Sequence, residues 1–381
     1  MTNNYDIRFT GTLVARTPIS IVPPNVNEVA LGGGSYLEVA RQVVVNADTG
    51  AVERVPVIPA STIRGKLRRA AAKVGLSHFE ERPKLKPWLY STIGDIKGAE
   101  KEDTYTIHER NERRERNPIV ALFGASVPWD ASRAMVEHAI STTKDTSVIT
   151  AVRSDDFQRN ADVLDLIDGA SLGDYLEKRE NVKALKDAKG TFSDTLRKYL
   201  AAKESGRTAE ANSLKAELDS ARGTMDQAKK AAGNSMMMPH AHEAIPIGTR
   251  FNHRIVLRRV TQAEAGLFLA AIDYAFSQEP NFGGKGDAMG YGQVDAQWNV
   301  EVREAGKVGA AWVPAGSISV TPLGDAVLTG ELPGYLKAWE AYAKSGKMNL
   351  LVDGANGADA SDEGGSENTK GKKTASKKAK A

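Results

Sequence analysis

The stretch Val57-Ile58-Pro59-Ala60-Ser61-Thr62-Ile63-Arg64-Gly65-Lys66-Leu67-Arg68 turns a strand into a helix within a few residues. Val52 to Ile58 is rich in valine and isoleucine and reads as a strand. Pro59 cannot continue a strand ladder, and Ser61 is a candidate N-cap. Beyond it, Ile63, Leu67, Ala70, Ala71 and Val74 fall on one helical face. Arg64, Lys66, Arg68, Arg69 and Lys73 occupy the rest. From Arg54 to Lys73 there are six basic residues and no acid. A solvated face ordinarily mixes signs, so a single sign beside a helix start with small flanking residues points to a polyanion.

Outward from this helix, Tyr5 to Val14 begins with alternating apolar and polar residues, a half-buried strand. Arg41 to Val45 and Val52 to Ile58 read as a strand pair joined by a turn at Asp48-Thr49-Gly50. Residues 77–117 are charged and read as a loop. Their run from His108 to Arg116 reads as a solvated, self-neutralising surface. Ile119 to Phe123 is a compact apolar segment, and Val148 to Val152 a further strand. Between 172 and 232, narrow apolar stripes (Leu172 and Leu176, Leu196 and Leu200, Leu214, Leu218, Ala221 and Met225) mark helices. Gly190 and Gly206 are expected to divide them into three pieces. So narrow an apolar face suits an excursion from the main body. Strand Phe251 to Val260, helix Glu264 to Phe276 and strand Val294 to Val302 follow. This order predicts an α+β fold whose sheet is assembled from both ends of the chain.

The chain has 381 residues, 41% apolar and 26% charged, the composition of a folded protein with an ample core. It has no cysteine, which excludes disulfides, catalytic thiols and thiolate metal centres. No signal core or membrane-length apolar run is visible, and a cytoplasmic protein without membrane contact is expected. Net charge is +3, all of it contributed by residues 361–381, whose six lysines face three acids. That segment, within a lysine-rich tail at 351–381, is expected to be disordered.

A second stretch rich in possibilities is Asn281-Phe282-Gly283-Gly284-Lys285-Gly286-Asp287-Ala288-Met289-Gly290-Tyr291-Gly292-Gln293-Val294. Its glycines allow close backbone approach and repeated positive φ, and clustered N–H groups can cradle phosphate. The spacing matches neither a P-loop nor a dinucleotide fingerprint. His240-Ala241-His242-Glu243 holds metal-ligand types, yet no second ligand cluster accompanies it. His78, His108, His138 and His253 are isolated, without triad spacing. No catalytic residue, metal or cofactor is expected.

The strand–helix junction resembles the "I-P-G-S-S-hydrophobic-K-G-hydrophobic-R" signature of RAMP proteins, the RNA-binding subunits of multi-subunit CRISPR effector complexes. Three further stretches fall in that family's order. They are Leu122-Phe123-Gly124 with the strand and loop Val148 to Arg159, then Pro246-Ile247-Gly248-Thr249-Arg250-Phe251, then the glycine loop. The set spans about residues 5–302 and looks most like a Cas-seven-type backbone subunit, of a type IV system. The resemblance implies a modified RRM-like (ferredoxin-like) palm with an inserted, largely helical thumb. Residues 1–144 would form the first part of the palm, with a fingers-like insertion near 77–117. Residues 145–240 would be the thumb, enlarged at 172–232, and 241–350 the second part of the palm.

It further implies head-to-tail stacking of copies along a guide RNA, for pairing with a target nucleic acid and in company with other effector subunits. On this reading Ser61, Thr62, Arg64, Lys66, Arg68 and Arg69 grip phosphates. Gly283, Gly284, Lys285, Gly286, Gly290 and Tyr291 let backbone approach the RNA, and Arg153 and Arg159 clamp a displaced position. A protein that accepts any guide should hold phosphates and avoid base edges. Family members that cleave target RNA use an aspartate ahead of the signature helix; here residues 32–48 offer only Glu38 and Asp48. The rivals are a repeat-RNA endoribonuclease using His240 or His242, a metal-dependent target-RNA nuclease using Glu38, and an assembly protein whose basic helix meets acidic partners.

Overall fold

The computed structural model describes residues 4–23, 28–31, 34–45, 50–94, 106–126, 130–152, 169–232, 239–283 and 289–350. In chain order the elements begin with β1 (Tyr5–Ala15), β2 (Glu28–Leu31), β3 (Gly34–Leu37), β4 (Arg41–Val45) and β5 (Val52–Ile58). Four helices follow, α1 (Ala60–Leu76), α2 (Leu85–Thr92), α3 (Ile107–Arg116) and α4 (Pro118–Phe123). Next come β6 (Ala134–Val136), β7 (Ala139–Ser141), β8 (Ser147–Val152), α5 (Gly169–Glu204), α6 (Thr208–Ala232) and β9 (Pro239–Ala244). The chain then forms β10 (Arg250–Val260), α7 (Gln262–Asp273) with a π-helical turn (Tyr274–Gln278), β11 (Val294–Glu304), β12 (Val313–Val320), β13 (Val327–Leu328) and α8 (Leu332–Ala343).

The chain divides into two compact units. Met1–Ile21, Val39–Asp145 and Ile245–Ala381 make the first, Val22–Glu38 and Thr146–Ala244 the second. Residues 22–38, grouped by the sequence reading with the first 144, thus belong with the later insertion.

The first unit is built on a nine-stranded sheet in the order β13-β12-β11-β1-β10-β7-β5-β4, with β6 also paired to β10. β1 lies between β10 and β11 and runs antiparallel to both, Phe9 facing Ile255 on one side and Val300 on the other. Taken as βαββαβ, the elements β1, α1, β6 with β7, β10, α7 and β11 stand in the order fourth, first, third, second. That is the ferredoxin-like arrangement on an α+β framework. Both ends of the chain meet at β1, as the strand pattern predicts.

Alternation explains the layering. Ile7, Phe9 and Leu13 of β1, Phe251, Ile255 and Leu257 of β10, and Ala296, Trp298 and Val300 of β11 are all buried against the helices. There they meet Ile63 and Leu67 of α1 and Leu267 and Phe268 of α7, with the Phe9 and Phe268 rings 5.7 Å apart. α7 begins with a complete capping box, Thr261 Oγ1 accepting from the Glu264 amide and Glu264 accepting from the Thr261 amide. The outer face of the sheet is polar. On it the Trp312 ring meets the guanidiniums of both Arg8 and Arg303, each 4.6 Å from the ring centre.

Residues 77–117 depart from the loop expected of them, since α2 and α3 occupy much of the stretch. α3 has almost no apolar side chain; it is held by charge instead. Asp130, fully buried, accepts from Arg110 Nε at 2.7 Å and Arg114 Nε at 3.2 Å, with Arg113 at 3.9 Å. The run read as a solvated surface is therefore an anchored helix.

In the second unit β8 pairs antiparallel with β9, from Ser147↔Ala244 to Val152↔Pro239, and the β2–β3 hairpin lies against β9. α5 (36 residues) and α6 (25 residues) pack on each other as a helical hairpin that turns at Gly206. Gly190 does not break α5, so there are two helices where three pieces are expected. An isolated exposed glycine costs a helix only about 1 kcal/mol, less than its neighbours supply. Among the described residues no helix is long and apolar enough to cross a membrane.

Candidate nucleic-acid interface

The junction that opens the sequence reading places α1 so that its first turn lies at the end of the core strands. Pro59, with φ −59° and ψ 139°, is the N-cap, and Ser61 lies inside the first turn, displaced from its expected capping position. The N-cap residue Pro59 has no side-chain acceptor, and the ring of His138 takes that part instead, its Nδ1 accepting from the Ala60 amide at 3.2 Å. Ser61 is exposed and Thr62 half-buried.

The five basic residues of α1 have separate fates. Arg69 is exposed. Arg64, half-buried, donates from Nη2 to the Phe123 carbonyl, and burial lowers its pKa. Arg68 is only 4% exposed and donates to the carbonyls of Ser91 at 2.7 Å and Tyr90 at 3.0 Å. Burial, and then the neighbouring Arg64, bring its pKa down to about 10. Arg68 is thus removed from the predicted phosphate set: its charge holds the last carbonyls of α2. Lys73 forms an ion pair with Glu279 and lies over the Tyr274 ring.

Lys66 connects the two predicted motifs. Its Nζ donates to the Asn281 carbonyl at 2.6 Å and sits 4.7 Å from the centre of the Phe282 ring. These are the residues at which the glycine stretch begins. Phe282 is buried, packed on Phe276 at 5.1 Å, and Phe276 meets Trp298 edge-on at 5.4 Å. The glycine stretch therefore starts from the core.

Its far end returns to the same place. The Phe282 amide donates to the Gly292 carbonyl at 3.1 Å, and the Gly292 amide to the Pro18 carbonyl at 2.9 Å. The Gln293 amide donates to Thr17 Oγ1 at 2.9 Å, and Gln293 Nε2 to Asn281 Oδ1 at 3.0 Å. Gly292 has φ +84°, and a Cβ there would lie 2.0 Å from the Phe282 carbonyl oxygen, so only glycine closes the loop this way. Gly283 is exposed, while Gly290 and Tyr291 are half-buried. Gly284, Lys285 and Gly286 lie outside the described residues, as do Arg153 and Arg159 of the second unit.

Four stretches thus converge in the first unit: residues 17–20, the first turns of α1, 281–283 and 290–293. Of the predicted residues, Lys66 is joined directly to the stretch that carries Gly283, Gly290 and Tyr291; Ser61, Thr62 and Arg69 share its helix, and Arg64 is turned to the Phe123 carbonyl. Sequence reasoning missed Thr17, Pro18 and Asn281, which hold the loop ends; the Thr17-Pro18 dipeptide, an interruption after β1, is the signal that could have drawn attention to them. In the second unit His242 and Glu243 are buried, and Thr146 Oγ1 donates to Glu243 Oε1 at 2.5 Å; the side chain of His240 lies outside the described residues. Among the described residues no group of three or more His, Cys, Asp or Glu side chains is placed to hold a metal.

No protein-family model matches the sequence, and no curated protein matches it. Among solved structures, a chain described as "Type IV-B CRISPR Complex" is similar at a TM-score of 0.38 and 14% identity, over 81% of this chain and 93% of that one.

Proposed function

We propose that this chain is a non-catalytic RNA-binding backbone subunit of a multi-subunit CRISPR effector complex, of the type IV kind, which stacks head to tail along a guide RNA. The observation that carries this reading is the bond from Lys66 to the Asn281 carbonyl. It sets the two stretches of the RAMP-like signature side by side in space, although 215 positions separate them in the chain. On the same helix the exposed Arg69 offers a cation, and next to the bond a glycine loop with positive φ at Gly283, Gly290 and Gly292 lets backbone approach a ligand closely. Contacts of this kind go to phosphates and carry no base sequence, which suits a protein that must accept any guide. On this reading the guide's phosphates run over the first turns of α1 and the glycine loop. The protein leaves the bases to pair with a target, and other effector subunits complete the particle.

The test is size-exclusion chromatography of the purified protein, with its absorbance ratio, before and after RNase. Large particles carrying short RNA that collapse on RNase are expected. A nucleic-acid-free monomer that cuts repeat RNA, or oligomers untouched by RNase, would overturn the reading.

A further inference from the structure

Along α1, Lys66, Arg69 and Lys73 stand at i, i+3 and i+7, so they share one face of the helix. The row starts where Lys66 meets Asn281 and ends at Lys73, roughly 10 Å further along the axis. At that end the cations meet a carboxylate. Glu279 Oε1 pairs with Lys73 Nζ and accepts from the Tyr274 hydroxyl at 3.3 Å. Lys73 Nζ also lies 5.6 Å from the centre of the Tyr274 ring.

The backbone makes this arrangement. On an α-helix, residues five apart point in directions about 140° apart. Beyond α7, however, Tyr274–Gln278 form a π-helical turn, and the Glu279 amide donates to the Tyr274 carbonyl at 3.0 Å. That i→i+5 bond brings residue 279 over residue 274, and π-helical turns recur at functional sites. Pro280 and Asn281 follow at once, so the carboxylate stands at the entry to the glycine stretch.

An ammonium and a phenolic hydroxyl converging on one oxygen make a site for an anion, and here the protein fills it with its own. Partial burial opposes the ionisation of Glu279. Lys73, the Tyr274 hydroxyl and Lys66 outweigh it and hold the pKa below the usual carboxylate value. The occupant is exchangeable: the Lys73 and Glu279 side chains are 37% and 48% exposed, and an ion pair that open is weak. A phosphodiester oxygen carries the same sign of charge and accepts the same two bonds.

We propose that Lys73 and Tyr274 form a further phosphate-binding station for single-stranded RNA, and that Glu279 occupies it until a phosphate of the strand displaces the carboxylate. The inference rests on the RNA reading and adds a competitor to it. Because Glu279 competes with a phosphate and reads no base, it weakens every RNA sequence alike.

The test is filter binding of oligouridylate to the full-length chain freed of RNA by RNase. Glu279→Gln keeps the size of the side chain, removes its charge, and should tighten binding about two- to fivefold. In a Lys73→Gln background the same change should give no gain, and Tyr274→Phe should reduce it. A mere change in the surrounding field would persist in both backgrounds. No gain from Glu279→Gln, or a gain that survives Lys73→Gln or is untouched by Tyr274→Phe, would overturn the station while leaving the RNA reading standing. A parent chain that binds no oligouridylate would overturn both.

Discussion

Arg68 Nε donates to the carbonyl oxygen of Ser91 at 2.7 Å, so the middle of a basic helix face is bolted to the C-terminal turn of α2. A cation that the charge pattern assigns to a ligand is buried and satisfied by the protein's own backbone. Neighbouring basic residues of α1 therefore separate into a stabilising group and a solvent-facing one, with different consequences when removed.

Arg68→Ala should destabilise the first unit by about 3 kcal/mol, because it unmakes two charge-assisted hydrogen bonds from a buried guanidinium; the Tyr90 carbonyl keeps the Gly94 amide as a donor, while the Ser91 carbonyl loses Arg68. Arg69→Ala, at an exposed position, should stay within about 0.5 kcal/mol of the parent. Urea denaturation of the two variants measures the difference; equal losses would contradict the assignment.

Gly292→Ala places a Cβ against the Phe282 backbone at a φ of +84° and should open the glycine loop. At Gly290 φ is also positive, +67°, but no described residue comes within 4 Å of a Cβ there, so Gly290→Ala should cost only the backbone strain, about 1–2 kcal/mol. Thermal unfolding should rank Gly292→Ala clearly below Gly290→Ala, and the reverse order would refute the close approach.

Burial lowers the pKa of His253 to about 4, and its Nδ1 accepts from Trp298 Nε1 at 3.3 Å, which requires the neutral ring. The unfolded chain binds this proton near pH 6.5, and the folded chain holds off until about 4. Stability from this group is therefore complete above about pH 6.5 and falls as pH drops toward 4, by up to about 3 kcal/mol. Chemical denaturation at pH 7 and pH 5 should show the loss, and His253→Phe should flatten this part of the slope.

Lys66→Met keeps the alkyl stem of Lys66 but removes both its hydrogen bond to Asn281 and its charge over Phe282. Amide hydrogen exchange at Phe282 and Gly292 should quicken while the core strands β1 and β10 keep their protection. Unchanged exchange at these two amides would mean that the loop is held without Lys66.

For RNA, a grip on about four phosphates predicts that log K falls with log salt at a slope near −3 per copy on single strands. Arg69→Glu should weaken all sequences alike and make that slope shallower by about 0.7 for each phosphate no longer neutralised. Filter binding with several unrelated single-stranded RNAs checks this; a flat salt response would remove the phosphate grip.

Much of the fold is legible in short-range pattern. Alternation marks β1, β10 and β11, helical periodicity with a proline approach marks α1, and glycines mark the loop before β11, because each signal is complete within a dozen neighbours. The helices between 77 and 117 are not legible. α3 has no apolar stripe to read, since what holds it is Asp130, fourteen positions beyond its end. The short strands β6 and β7 carry too few residues to show a period, and they become strands only through the partners β10 and β5 provide.

The candidate site divides along the same line. Sequence alone determined that the first turns of α1 are basic and that a glycine-rich loop exists far downstream. Only the tertiary structure decided that Arg68 points inward, that Arg69 faces water, and that Lys66 spans to Asn281. The reason is physical: charge and propensity belong to a residue and its close neighbours, whereas burial and hydrogen-bond partnership belong to whatever the folded chain brings alongside. For α1 those neighbours are the carbonyls of α2 and the ends of a loop more than two hundred residues away.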